Sequence, residues 1–304
     1  MADLAAALGY TPDARVLIPH IDDVGVCHGA NRAFAELAGQ GFVTTASVMV
    51  PCPWFPETVD LAREQPELDL GVHLTLTSES RACRWRPIST TSHKSGLLDH
   101  DGFMWPDVPS VRRHADRRAA ETELRAQIEA ALAAHIDVTH LDTHMGVAAA
   151  PEFVETYLQL GREYRLPVLL PERIETYVSV LDMGPLDADL YPRLVEESGT
   201  AGMPVIDAFA MGLAMRHLGC DEAFRQMVEQ AAPGVTYVSL HCSTPGEVER
   251  LHPQDADWRI AEYQLFDDPD FLDWVARQDV ELIGFRPIRE LYREQCPPDR
   301  PGAA

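Results

Sequence analysis

The sequence predicts an α/β fold, a closed or nearly closed β/α barrel, on three observations. Short apolar runs alternate with amphipathic segments along the whole chain, the pattern of parallel strands joined by crossover helices. About seven or eight such units recur, the number a barrel needs. No linker rich in Pro, Gly and Ser divides the 304 residues, so one domain is expected over 1–304, with its core at about 15–295. A doubly wound open sheet is the other way to connect the same elements.

The elements follow in order. Arg15 to Ile21 reads as a buried strand, and Ala30, Ala33, Phe34 and Leu37 then fall at helical spacing. Thr45 to Val50 is a second strand and Glu57 to Gln65 a short helix. Leu70, Val72, Leu74 and Leu76 alternate with Gly71, His73 and Thr75, which puts His73 on the less apolar face of a third strand. Ala119 to His135 is the clearest helix, with Leu124, Ile128 and Leu132 as its stripe. Strands are expected at Ile136 to Leu141, Leu166 to Leu170, Val205 to Phe209, Val235 to His241 and Val280 to Phe285. Helices are expected around Phe153 to Leu158, Glu222 to Ala231, Phe271 to Arg277 and Ile288 to Arg293. The stretch from Ser78 to Pro109 breaks the rhythm and reads as an insertion over one end of the barrel.

Composition excludes several classes of function. The chain is 46% hydrophobic and 24% charged, enough to bury a large core, so it is neither disordered nor a disulfide-dependent scaffold. Its net charge of −23 repels phosphate backbones and anionic lipid, so neither nucleic acid nor membrane is an expected partner. A neutral or cationic small ligand suits that field. No apolar run approaches the ~20 residues of a membrane span. The start, with Asp3 and no basic residue before Leu8, does not read as a signal peptide. Cys27, Cys52, Cys83, Cys220, Cys242 and Cys296 show no paired spacing, which suits reduced thiols in the cytoplasm. Nothing in the sequence separates a monomer from a homodimer.

In parallel β/α folds, functional side chains gather at the carboxyl ends of strands. Four such ends are polar here. The first is His20-Ile21-Asp22-Asp23. Two adjacent carboxylates repel each other unless a cation or donors compensate; Asp is also favoured in caps and turns. The second is His73. The third is Thr139-His140-Leu141-Asp142-Thr143-His144. As a helix it would stack His140 on His144; as a strand running into a loop it would put His140, Asp142 and His144 on one face, with His140 deeper. Val138 and Gly146 favour the strand. The fourth is His241, a histidine able to donate a proton to a leaving group. Imidazole with carboxylate is a donor set for a divalent ion such as Zn²⁺, and also for Mg²⁺, Mn²⁺, Co²⁺ or Ni²⁺.

Together these runs carry a family resemblance. Leu17-Ile18-Pro19-His20-Ile21-Asp22-Asp23-Val24-Gly25, with Asn31 after it, resembles the opening of the YdjC-like carbohydrate deacetylases, which include chitooligosaccharide and hopanoid-associated deacetylases. Gly71-Val72-His73-Leu74-Thr75-Leu76-Thr77 is similar to that family's second motif, Thr139 to His144 to its third, and Leu240-His241 ahead of Pro245-Gly246 to its fourth.

The resemblance implies a distorted β/α barrel related to polysaccharide deacetylases. It also implies hydrolysis of an N-acetyl group on an amino sugar, assisted by a divalent metal, Mg or Zn. Carried over by position, Asp23, His73 and His144 would be the metal ligands, Asp22 the general base and His241 the general acid. Many members have asparagine-alanine where this chain has His20-Ile21, and further histidines where it has Met145-Gly146. These departures leave the implied ligands intact and bear on the substrate. Hydrolysis of a different amide or a phosphoester, and a non-catalytic carbohydrate-binding protein on the same fold, are the competing functions.

Overall fold

A computed structural model describes residues 4–173, 177, 181–184 and 189–296. The Met1-Ala2-Asp3 start and residues 297–304 of the expected domain lie outside the described residues. Seven parallel strands are described: β1 (Arg15–Val24), β2 (Thr45–Val48), β3 (Leu70–Leu74), β4 (Val138–Thr143), β5 (Ala208–Met211), β6 (Gly234–Leu240) and β7 (Glu281–Leu282). They run in the order β4-β3-β2-β1-β6-β5, with β7 paired to the amino end of β1. Parallel bridges from Leu141 to Val168 and from Pro171 to Ile206 carry the sheet past β4 towards the start of β5. The sheet therefore curls round into a distorted barrel, not the open doubly wound form.

Alternation along the strands sorts the side chains. Ala46, Val48, Val72 and Leu141 join the apolar core beneath the surrounding helices. His20, Ser47, His73, His140, Asp142, Tyr237 and Ser239, all buried, face one another across the interior. The barrel is thus dry and apolar outside its sheet and polar inside it. A buried polar group is costly unless it is hydrogen-bonded, and this interior is densely bonded for that reason.

Several expected elements shift. The strand expected at Leu166 to Leu170 contributes one bridge, at Val168, and the one expected at Val280 to Phe285 shortens to Glu281–Leu282. The helix expected from Ala119 runs Arg117–Ala133, capped by Asp116, whose side chain accepts from Arg118 and Ala119 N–H. Its Leu132 is 41% exposed, and Ala131 takes the buried place instead. Glu123 and Gln127 are buried on that helix because each closes backbone elsewhere: Glu123 accepts from Ile88 and Ser89 N–H, and Gln127 pairs with both N–H and C=O of Thr75.

The 78–109 stretch folds back on itself. Ser78 N–H donates to Trp105 C=O, and buried Trp85 donates from Nε1 to Thr77 C=O at 2.7 Å. That packing brings Glu79 and the Trp85 ring beside His144. All six cysteines are free. No described helix is long and apolar enough to cross a membrane.

Candidate metal and hydrolase site

The site begins with a break in strand geometry. Successive residues of an extended strand point to opposite faces, so Asp22 and Asp23 would normally diverge. Asp23 instead takes φ +63, and the pairing of β1 with β2 slips register between Ile21 and Val24. Both carboxylates then reach the same cavity. A non-glycine residue held at positive φ costs on the order of 1–3 kcal/mol and persists only where its surroundings enforce it. Asn31 is one enforcer. Its Oδ1 accepts from Gly25 N–H at 2.6 Å, while its Nδ2 donates to Trp54 C=O and Glu57 Oε2.

Asp23, His73 and His144 converge. Their candidate donor atoms all lie within 4.8 Å of one another. His144 Nδ1 is 3.0 Å and His73 Nε2 3.5 Å from Asp23 Oδ1, yet that buried oxygen has no aligned hydrogen-bond donor. The far nitrogens explain the near ones. Ser47 donates its only hydroxyl hydrogen to Asp142 Oδ2 at 2.8 Å, so its oxygen accepts from His73 Nδ1 at 3.0 Å. His144 Nε2 lies 3.0 Å from Glu79 Oε2 and donates to it. Each imidazole is thereby oriented from behind, with its other nitrogen turned to the shared point. Carboxylates behind metal-ligating histidines do this generally. An orphaned carboxylate oxygen facing two imidazole nitrogens fits a divalent cation.

The electrostatics agree. Burial pushes the His73 and His144 imidazoles down, but Asp142 outweighs it at His73 and Glu79 with Asp23 at His144. His73 ends well above its ordinary value and His144 at about 9. Burial likewise raises Asp23, but His144 and Arg259 pull its carboxyl well below the usual range. The pocket favours positive charge at its centre, and a bound cation would replace those protons.

Asp22 sits beside this cluster in a different setting. His20 Nδ1 lies 2.7 Å and the Tyr237 hydroxyl 2.8 Å from its Oδ1, and Ser239 donates to Oδ2 at 2.8 Å. Burial raises its pKa, but the His20 bond and the His20 and His73 charges bring it below the ordinary value. His241 Nε2 is 3.8 Å from Asp22 Oδ2. Burial and Arg259 hold His241 below its ordinary pKa, and its buried Nδ1 has no partner. Glu262 fixes its backbone, accepting from His241 N–H and, at 2.7 Å, from Trp258 Nε1.

All five sequence-derived candidates, Asp22, Asp23, His73, His144 and His241, line one cavity of about 640 Å³. His140 does not. It lies deeper, 2.8 Å from His20, as the strand reading of its segment expects.

The sequence profile of the YdjC-like protein family matches residues 16–277. The chain belongs to the YdjC-like family. A carbohydrate deacetylase from Thermus thermophilus is 34% identical over 290 residues, 95% of this chain and 98% of that one. A carbohydrate deacetylase from Listeria monocytogenes is 26% identical over 276 residues, 90% and 99% of the two chains. The fold is similar to the crystal structure of a putative cellobiose-phosphate cleavage protein from Enterococcus faecalis, with TM-score 0.74 at 20% identity, covering 90% of this chain and 99% of that one.

Reading this YdjC-like sequence by motif misses, among the lining or supporting residues, Ser47, Glu79, Tyr237, Ser239, Arg259 and Glu262. Tyr237 and Ser239 had a signal, since they alternate with Val238 and Leu240 and share the face of His241. Arg259 and Glu262 lie on the helix Ala256–Phe266, and Glu79 lies in the 78–109 stretch; local pattern does not single them out. Arg259 bridges Asp255 at 3.0 Å and Asp23 at 2.8 Å.

Proposed function

We propose that this protein is a divalent-metal-dependent hydrolase that removes the N-acetyl group from an acetylated amino sugar, chitooligosaccharide-like in kind. The observation that carries the reading is the placement of the Asp22 carboxylate against the Asp23, His73 and His144 cluster, with His241 opposite. Asp23, His73 and His144 would hold the ion, Mg or Zn. When bound it supplies polarisation of the amide carbonyl and a lowered pKa for water.

The chain's own residues do the proton work. Asp22 presents Oδ2 to the cavity, because His20 and Tyr237 occupy Oδ1. It takes the proton of the attacking water there. Burial and Arg259 hold His241 neutral, so the proton it delivers to the departing amine is one collected during the cycle. Asp22 Oδ2, 3.8 Å from His241 Nε2, is within a short shift of handing it over. Transfer in that direction leaves Asp22 ionised for the next water.

The cavity volume is within the usual ~300–1,000 Å³ of small-molecule sites. The relatives named as carbohydrate deacetylases support the sugar, and the acidic lining, with Glu79, Asp142 and Asp255 beside the pair, disfavours a phosphoester.

The test is acetate release from an N-acetylglucosamine oligomer by purified protein with Mg²⁺ or Zn²⁺. Chelator should stop it. Asp22→Asn should cut turnover by about 10²–10⁴-fold while leaving metal binding measurable by calorimetry. Full activity in chelator, or in Asp22→Asn, removes the metal or base assignment respectively.

A further inference from the structure

A chain of buried hydrogen bonds runs from Asp22 down the barrel interior to its amino-terminal end. Asp22 Oδ1 meets His20 Nδ1 at 2.7 Å, His20 Nε2 meets His140 Nε2 at 2.8 Å, and His140 Nδ1 meets Thr139 Oγ1 at 2.9 Å. Thr139 Oγ1 donates to Asp69 Oδ1 at 2.5 Å. Asp69 itself is held by Thr45 Oγ1 and by Arg286 N–H. His20, Thr139 and His140 are fully buried.

The direction of the chain is fixed from its far end. A carboxylate only accepts, so the single hydroxyl hydrogen of Thr139 goes to Asp69. Thr139 therefore accepts from His140 Nδ1–H. Burial, with the neighbouring His20, holds His140 well below its ordinary pKa, so it is neutral and its Nε2 carries a lone pair. His20 must then donate from Nε2. Its Nδ1 faces a carboxylate oxygen, which again requires a hydrogen. The Tyr237 hydroxyl, 2.6 Å from that nitrogen, is left to donate to Asp22 Oδ1 or Asp142 Oδ2.

We propose that His20, locked as a donor at both nitrogens by His140, Thr139 and Asp69, is a positioning residue for Asp22. It anchors Oδ1 so that Oδ2 alone is offered to the attacking water. This inference rests on Asp22 being the base of the proposed hydrolysis. His20 touches neither substrate nor the metal ligands; it acts through Asp22.

Two measurements test it. The first needs no metal and no substrate: imidazole ¹⁵N shifts of metal-free protein labelled at histidine, near neutral pH. The wild type should show His20 protonated at both nitrogens and His140 protonated at Nδ1 only. Thr139→Val is nearly isosteric and lies three links from Asp22. It removes the acceptor for His140 Nδ1, so His140 should switch to its Nε2–H tautomer and His20 should lose its Nε2 proton.

The second is steady-state acetate release with metal present. Thr139→Val should lower kcat about tenfold with KM within about twofold, since orientation of the base is lost and substrate binding is not. His20→Leu should lose more. His20→Asn, which restores one donor to Asp22, should recover part of that loss. A wild-type His20 with one protonated nitrogen overturns the proposal, and so do unchanged kcat and unchanged shifts in Thr139→Val. Should Thr139→Val fail to fold, the wild-type shifts and the His20→Asn against His20→Leu comparison still decide. Wild type that releases no acetate from any acetylated sugar overturns the proposed reaction instead, and the nitrogen shifts then judge the hydrogen-bond direction alone.

Discussion

Arg259 Nη1 lies 2.8 Å from Asp23 Oδ2, the oxygen opposite the one that His73 and His144 face. One carboxylate is thus divided between a permanent cation and the proposed metal site. The guanidinium is buried, and its pKa is raised because Asp23 and Asp255 more than offset its desolvation. It keeps Asp23 ionised whether or not metal is present.

Removing it should expose that dependence. Arg259→Met leaves Asp23 buried with one cation fewer, and breaking a buried pair from one side costs about 3–5 kcal/mol. The expected result is a lower denaturant midpoint in chelator. Added divalent metal should recover more stability in the variant than in wild type, because the ion then supplies the missing charge. Equal metal-induced shifts in both proteins would show that Arg259 does not share this load.

The carboxylates behind the two histidines should set the affinity of the proposed metal site. Glu79 accepts from His144 Nε2, and Asp142 reaches His73 through Ser47, with its Oδ1 also 3.0 Å from His73 Nδ1. Loss of such outer partners typically weakens metal binding by about 10–100-fold. Glu79→Ala and Ser47→Ala should each do so in calorimetric titration, with the number of ions bound unchanged. Wild-type affinity in both would mean that the imidazoles are oriented by other contacts.

The parts of this site legible in sequence are those whose position along a strand fixes their direction. Asp22, His73 and His144 follow from polar residues at the carboxyl ends of parallel strands, and His140 is deep because it precedes His144 by four residues on the same run. Asp23 is different. Period-two alternation turns it away from Asp22, and only the positive φ and register slip, which need Asn31 and the neighbouring strand, bring it back. Arg259 and Glu262 were illegible because a helix far along the chain delivers them through tertiary packing. Helical spacing misplaces Leu132 because two polar residues, Glu123 and Gln127, occupy the buried face to satisfy distant backbone, which rotates the stripe.

Gly71 should tolerate no side chain. A Cβ there would collide with the ring of His140. That ring has nowhere to retreat, since it stacks on Phe285 with centroids 3.9 Å apart and bonds to His20 at its Nε2. Overpacking a core costs about 1–3 kcal/mol. Gly71→Ala should therefore lower the unfolding midpoint and, by displacing His140, alter the His20 nitrogen shifts. A variant with wild-type stability would show that the β3 backbone can move away.

Glu262 gives the fold a pH dependence of defined sign. Burial pushes its carboxyl from 4.5 up to about 8, against the opposing pull of His241 N–H, Trp258 Nε1 and Arg259. Between those values the folded state holds a proton that the unfolded chain has lost. Stability from this group is fully present below the unfolded value and falls as pH rises towards 8, by up to about 1.4 kcal/mol per pH unit. Glu262→Gln cannot ionise. Its amide nitrogen cannot accept, whereas both oxygens of the acid can, the hydroxyl oxygen of the neutral form included, so one of the two N–H donors loses its partner at a cost of about 1–3 kcal/mol. Wild type should therefore be the more stable protein near pH 5, and the gap should close or reverse by pH 8. Urea unfolding of both proteins across that range measures the difference directly. Parallel curves would mean that Glu262 is already ionised at pH 5, its two N–H donors outweighing burial.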